Sequence, residues 1–232
     1  MNTQKPMKEE TEKVTLSIMD IFQTIQGEGP FIGHPAIFVR LAGCNLQCPM
    51  CDTDYTVGVY SVTPRDMLHL AFVAGDAKLM VITGGEPFRQ ARMLVHFVRM
   101  ALLAGYKVQF ETNGIIWNDR VREIMDNPLV HTVCSPKTNT VHSEVAKRVD
   151  YWKYVGSRNN LSWSDGLPVT GLGYKRVGIY RHSGITADKI YLSVMDEFDR
   201  DINRANMEAV KESCLKHGYI FTPQLHKTIG VK

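Results

Sequence analysis

No run of apolar residues in this sequence approaches the ~18 needed to cross a membrane as a helix, so no membrane partner is expected. Cysteine is scarce, five in 232 residues, an odd number that excludes the paired framework of a small disulfide-stapled domain. The opening MNTQKPMKEETEK is charged and has no apolar centre, which excludes a secretory signal. A reducing, cytoplasmic setting is therefore expected. Residues 1–13 are expected to form a disordered tail ahead of one core domain, residues 14–232. A net charge of +3 is too small to argue for nucleic acid as a partner. Internal repeats, low-complexity tracts and a second CxxC pair are also absent.

What is present is a regular alternation. The segments VTLSIMDIF, AIFVRLAG, KLMVITGG, KVQFETNG, HTVCSPK, YWKYVG and KIYLSVMDE read as apolar strands, most of them ending in polar or glycine turns. Helices are predicted between several of them. One starts at Pro64 behind a Thr63 N-cap, one covers PFRQARMLVHFVRMALLAGY, and one covers DRDINRANMEAVKESCLKHG, with acids early and bases late. GYIFTPQLHK is predicted as a closing strand and tail. Strands separated by helices imply a parallel α/β sheet, open or curled into a barrel. Residues 157–188 break the pattern; rich in Gly, Ser, Asn and Asp, they are expected to form a long loop or lid-like excursion. Polar residues gather just after strand ends, at Cys44, Thr83 to Glu86, Thr112, Asn113, Ser135 and Asp196, where parallel α/β folds place ligands.

LAGCNLQCPMCDT places Cys44, Cys48 and Cys51 within eight positions. Structural zinc asks for four protein ligands, and the nearest fourth candidate, His34, lies across a strand. Iron–sulfur clusters favour closely spaced cysteines, and three thiolates leave one iron open for a substrate or cofactor. On the cysteines alone, zinc and a cluster both stand. Cys134 and Cys214 read as small buried apolar residues.

Cys-x3-Cys-x2-Cys followed by ITGGEP resembles the radical S-adenosylmethionine (SAM) enzymes. The resemblance implies a 4Fe-4S cluster on Cys44, Cys48 and Cys51. Its open iron would hold SAM, which one electron cleaves to a 5′-deoxyadenosyl radical. The longer pattern FQTIQGEGPFIGHPAIFVRLAGCNLQCPMCDT, then ITGGEP, ETNG, SPK and QLHK, resembles the 7-carboxy-7-deazaguanine synthase family of 7-deazapurine (queuosine precursor) biosynthesis. That family contracts 6-carboxy-5,6,7,8-tetrahydropterin to 7-carboxy-7-deazaguanine with loss of ammonia. It uses Mg2+ and SAM on an incomplete, modified (β/α)6 barrel with reduced outer helices.

The resemblance implies SAM contacts at Gly84, Gly85, Glu86, Thr112, Asn113, Ser135, Pro136 and Lys137. Where the family commonly reads Gln-Pro-Met-Asp, this chain has Ser193 to Asp196, so Ser193 and Asp196 inherit that contact. Substrate contacts are implied at Ile25, Gln26, Gly27, Glu28, Arg40, Thr83, His226 and Lys232, the last through its terminal carboxylate. Thr53 is the implied Mg2+ ligand, with Asp52 as a water-mediated partner. No side chain is assigned a catalytic role, because the SAM-derived radical carries the chemistry. The chemistry of these residues suits their roles. A guanidinium grips a carboxylate through two parallel hydrogen bonds, which fits Arg40. A carboxylate accepts from a pterin's amino and ring N–H groups, which fits Glu28. A homodimer and an external electron donor such as flavodoxin are also implied. A glycyl-radical-activating enzyme would share the cysteine and GGEP motifs but lack QGEG and QLHK. A zinc-dependent nucleic-acid-binding or scaffold protein would leave GGEP, ETNG and SPK without a purpose.

Overall fold

The computed structural model of the protein describes residues 2–231; Lys232, expected at the substrate, lies outside them. Nine strands among the described residues form one sheet: β1 (Leu16–Ile25), β2 (Pro35–Leu41), β3 (Tyr60–Val62), β4 (Leu79–Gly84), β5 (Lys107–Thr112), β6 (Val130–Cys134), β7 (Tyr151–Gly156), β8 (Ile190–Val194) and β9 (Ile220–Thr222). Their order is β3-β1-β2-β4-β5-β6-β7-β8-β9. β1 runs antiparallel to both β2 and β3, and from β2 through β9 every pairing is parallel.

The helices are α1 (Pro64–Ala74), α2 (Ala91–Leu103), α3 (Arg122–Met125), α4 (Ser143–Ala146), α5 (Arg200–His217) and α6 (Leu225–Ile229). α1 begins where its capping residues predict: Thr63 Oγ1 accepts from the Asp66 N–H and Pro64 takes the first turn. Asp199 caps α5 through the Asp201 and Ile202 N–H groups, and Gly218 at φ +77° ends it. α3 and α4 are four residues each, so the crossovers β5–β6 and β6–β7 have only a turn of helix outside them. This is the incomplete α/β barrel with reduced outer helices. No helix among the described residues is long and apolar enough to cross a membrane.

Side chains alternate across the strands, and the alternation separates core from site. Ile37, Val39, Leu41, Met80, Ile82, Val108, Phe110 and Leu192 point outward. There they pack with Leu94, Phe97, Val98 and Val210 of the helices in one buried core. Their neighbours Phe38, Arg40, Thr83, Glu111, Lys153 and Val155 point inward and line a cavity. The sheet does not close on itself. Instead, the loop after β1 bridges to its far edge: the Gly29 N–H donates to Thr222 Oγ1 at 3.1 Å, and the Leu225 N–H donates to the Gly27 carbonyl at 3.0 Å.

Three expectations are corrected. Residues 2–13 are not a loose tail but an extended strap laid on the core. Arg89, 3% exposed, donates to Glu10 Oε1 at 2.5 Å and to the Lys8 carbonyl at 2.8 Å. The closing strand stops at Thr222, before Pro223, which has no N–H to offer a ladder, and His226 sits on α6. β3, absent from the sequence reading, pairs three residues with β1. Between β7 and the 3-10 turn at Ala187–Lys189, the chain has only two isolated bridges, Leu161 to Pro168 and Thr170 to Gly178.

Two backbones meet where β2 and β4 end. The Gly85 N–H donates to the Leu41 carbonyl at 3.0 Å, and the Glu86 N–H donates to the Gly43 carbonyl at 3.0 Å. A Cβ on Gly85 would stand 1.8 Å from the Gly43 carbonyl oxygen. Gly85→Ala must therefore push the cysteine loop away, at a cost of about 1–3 kcal/mol, which lowers the melting temperature by roughly 2–10 °C. Gly178→Ala, where a Cβ meets nothing within 4 Å, should melt with the wild type. Thermal unfolding of the metal-free proteins checks both, and equal melting of the two variants would contradict the close approach.

Candidate active site

The carboxyl ends of the parallel strands open into a cavity of about 270 Å3, with a smaller compartment of about 130 Å3 beside it. Glu28, Phe38, Arg40, Thr83, Glu111, Lys153 and His226 line both, so the two are continuous. The larger one also carries Cys44, Cys48 and Cys51, Thr53, Gly84 and Gly85, Thr112 and Asn113, Ser135 and Lys137, and Asp196. The smaller one adds Ile25, Gln26 and Gly27.

The cysteine loop leaves β2 through Gly43, at φ +75°, held between Arg89 and Met7. All five cysteines are free thiols. Burial pushes the pKa of all three loop thiols up, Cys44 to about 12. The excursion packs directly against the cysteine loop, and its Leu172 lines the cavity. The Met50 N–H donates to the Leu172 carbonyl at 3.1 Å, and the Tyr174 hydroxyl bonds to Cys48.

Several residues assigned to SAM stand elsewhere than expected. The Glu86 carboxylate is fully buried and turned into the protein. It accepts from Thr112 Oγ1 at 2.7 Å, from the Asn113 N–H at 2.8 Å and from the Phe88 N–H at 3.1 Å. Burial raises its pKa, and these donors oppose the rise. Glu86 thus ties the end of β4 to the end of β5, leaving the backbone of Gly84 and Gly85 to face the cavity. Asn113 Nδ2 continues the tie to Asn45 Oδ1 in the cysteine loop, at 2.8 Å. Pro136 does not line the cavity, whereas Ser135 and Lys137 on either side of it do. Lys137 donates to the Ser135 carbonyl at 2.8 Å, and burial lowers its pKa. Ser193 lines neither compartment; fully buried, its hydroxyl bonds to Glu28 Oε1 at 3.3 Å and the Thr222 carbonyl at 3.1 Å. Asp196 remains at the cavity rim, where Asn203 and Lys227 donate to it at 2.7 and 2.5 Å.

The centre of the smaller compartment is a group the sequence reading missed. Lys153 Nζ lies 2.6 Å from Glu28 Oε2 and 2.8 Å from Glu111 Oε2, and Gln109 donates to Glu111 Oε1 at 2.6 Å. Burial alone would raise the Glu28 pKa; Lys153 outweighs it and holds the carboxyl at about 2. Burial likewise works to lower Lys153, and the two carboxylates raise it instead. A lone lysine inside the apolar run YWKYVG was the available signal. Arg40 lies over the Phe22 ring, 5.7 Å from its centroid. The His226 ring packs against Gly27, where a Cβ would come within 2.2 Å of Nδ1. Burial lowers the His226 pKa against the opposing pull of Glu28, so the ring is neutral at pH 7. Thr53 Oγ1 donates to Asp52 Oδ1 at 3.3 Å.

A model of the radical SAM superfamily matches residues 39–160. A 7-carboxy-7-deazaguanine synthase of Rhodospirillum rubrum is 34% identical over 230 residues, covering 94% of this chain and 93% of the relative. The chain belongs to the 7-carboxy-7-deazaguanine synthase family. The Rickettsia prowazekii synthase is 31% identical, with 94% and 89% covered. The crystal structure of QueE from Escherichia coli shares the fold, with a TM-score of 0.63 at 23% identity over 91% of this chain and 95% of that one.

As a radical SAM protein, the chain is implied to carry a 4Fe-4S cluster and SAM, and the residues present fit both. Among the described residues, three thiols without a fourth Cys or His beside them line a cavity that the adjoining glycine backbone of Gly84 and Gly85 also lines. Among the described residues no three of His, Cys, Asp or Glu converge on a single ion. A four-iron cluster does not ask them to, because each thiolate binds a different iron.

Replacing Cys44, Cys48 or Cys51 with Ala should abolish iron binding, while Cys134→Ala and Cys214→Ala keep it. Iron and sulfide analysis after anaerobic reconstitution decides this. A pH test isolates the buried ion pair. Glu28 is depressed on folding, so its contribution is complete above its ordinary 4.5 and is lost as pH falls towards about 2. Glu28→Gln should therefore lose less stability between pH 7 and pH 3 than the wild type does; parallel stability curves would contradict the pairing.

Proposed function

We propose that the protein converts 6-carboxy-5,6,7,8-tetrahydropterin to 7-carboxy-7-deazaguanine with release of ammonia. The observation that carries this is the joined cavity. Its larger part holds three thiols and glycine backbone, and its smaller part holds Glu28, Arg40, Lys153 and His226. The reaction removes only NH3 and is redox-neutral overall, which suits a cofactor used catalytically and restored after each turnover. When bound, the reduced cluster and SAM supply reversible hydrogen-atom abstraction from the substrate.

The chain's own residues bind and orient. Glu28, kept ionised by Lys153, accepts from the pterin's 2-amino and ring N–H groups. Arg40 presents a forked donor to the substrate carboxylate. Neutral His226 supplies a ring nitrogen from α6, and the backbone of Gln26 and Gly27 frames the same edge. Thr53 would hold a Mg2+ ion together with the substrate carboxylate, and Asp52, which accepts from the Thr53 hydroxyl, would support it through water. Gly84, Gly85, Ser135, Lys137 and Asp196 line the SAM side, and Thr112 and Asn113 fix its edge. Free cysteines throughout agree with a reducing cytoplasm, where a one-electron donor such as flavodoxin would serve a homodimer. A glycyl-radical-activating enzyme must admit a protein loop, and nothing in the smaller compartment, closed by Gly27 and α6, favours that alternative.

An anaerobic assay with the pterin, SAM, Mg2+ and dithionite tests the reading, and absence of 7-carboxy-7-deazaguanine from a cluster-replete enzyme overturns it. Thr53→Ala should raise the Mg2+ concentration needed for half-maximal turnover while leaving SAM binding intact. Glu28→Ala should lower kcat/KM by about 10- to 100-fold, the loss of a charge-assisted hydrogen bond worth ~1.5–3 kcal/mol. An unchanged Mg2+ requirement or an unchanged kcat/KM would remove the corresponding residue from the site.

A further inference from the structure

The strap at residues 2–10 runs along the cysteine loop and bonds to it at several points, and neither the reading above nor the family's motifs use it. The Met7 N–H donates to the Cys44 carbonyl at 2.7 Å, and Asn2 Nδ2 donates to the Cys48 carbonyl at 3.1 Å. The Asn2 N–H reaches the Pro49 carbonyl at 3.3 Å, and Gln47 Nε2 answers to the Asn2 carbonyl at 3.0 Å. Gln4 takes both polar groups of its amide to the loop: Nε2 donates to the Thr53 carbonyl at 3.0 Å, and Oε1 accepts from the Tyr55 N–H at 2.6 Å. The Thr53 carbonyl is also the partner of the Cys51 thiol, at 3.4 Å. Each of the three thiol-bearing residues is thus tied to the strap directly or through one neighbour. The strap is itself anchored at its other end, where the Glu10 N–H donates to the Arg89 carbonyl at 2.8 Å and Arg89 pairs with the Glu10 carboxylate.

We infer that residues Asn2–Glu10 form a clamp that positions the cysteine loop and keeps solvent and oxidant from its thiols, with Gln4 as the principal positioning residue. The loop between β2 and β3 contains no helix or strand of its own, so its carbonyls need partners from elsewhere. The strap supplies them from the outside, while Gly85 and Glu86 hold the same loop from the inside. Buried thiols react with reagents through local opening, and removing one net hydrogen bond raises the open population about two- to tenfold. The inference rests on the reading of Cys44, Cys48 and Cys51 as cluster ligands only for its second measurement.

The first measurement uses the metal-free chain. Iodoacetamide labelling of each cysteine, followed by mass spectrometry, should run at least threefold faster at Cys48 and Cys51 in Gln4→Ala and in the isosteric Gln4→Glu than in the wild type. Cys134 and Cys214 should label at unchanged rates and report that the core is intact. Lys5→Ala, exposed on the same strap, should match the wild type. The second measurement is bleaching of the reconstituted cluster in air. It should accelerate in the Gln4 variants by a similar factor while their initial iron content stays near that of the wild type. Deletion of residues 2–8 should exaggerate both effects; if the deletion does not fold, the Gln4 variants decide. Labelling and bleaching rates within experimental error of the wild type in both Gln4 variants would overturn the clamp. A wild-type chain that takes up no iron would instead overturn the cluster assignment, leaving the labelling result to judge the clamp alone.

Discussion

The structure depends on a lysine held where lysines are seldom found. Lys153 lies inside the barrel with one carboxylate from β5 and one from the loop after β1, at 2.8 and 2.6 Å. Three separated parts of the chain meet at that ammonium, and an open sheet gains a closed interior. Removing Lys153 would leave two buried carboxylates without a cation, which is far more costly than the group's net worth. The arrangement also serves chemistry. A carboxylate buried without a cation would take up a proton and could no longer accept two hydrogen bonds; beside Lys153, Glu28 stays ionised and pointed into the cavity.

The other half of the site is organised by backbone instead of charge. Gly84, Gly85 and Gly43 let the loop after β4 approach the loop after β2 more closely than any side chain permits. Glu86 then reaches from that junction to the end of β5. Thiols, glycine backbone and polar strand ends therefore share one layer, and the smaller compartment lies directly against it. The proposed reaction, in which hydrogen would be taken from the substrate and returned to the rearranged product, needs that proximity, because the reacting groups must remain oriented through the whole cycle.

Much of this was legible in the sequence, for physical reasons. Three cysteines at 44, 48 and 51 and glycines at 84 and 85 are local patterns with few uses, and Thr63 with Pro64 or Asp199 with Gly218 mark helix ends by local hydrogen bonding alone. What escaped was non-local. Lys153 and Glu28 are 125 positions apart, and a single lysine in an apolar strand does not announce its partner. The strap was read as a tail because its bonds go to groups distant in sequence, in the cysteine loop and at Arg89, Arg92 and Asn118, which leave no mark on its own composition. Glu86 looked like a ligand within GGEP, and only Thr112 and Asn113 brought beside it reveal a brace. His226 fell on a helix because Pro223 ended the strand that its apolar neighbours Ile220 and Phe221 had begun.

The central claim is that Lys153 keeps Glu28 charged so that the pterin can be held. Anaerobic equilibrium binding of 6-carboxytetrahydropterin to cluster-replete Lys153→Met, measured across pH, tests it most directly. Without the ammonium, Glu28 and Glu111 face each other in a buried space and one of them takes up a proton. Binding should then be at least tenfold weaker than in the wild type near neutral pH and should recover as pH rises, with iron content unchanged. Wild-type affinity in Lys153→Met, independent of pH, would contradict the account.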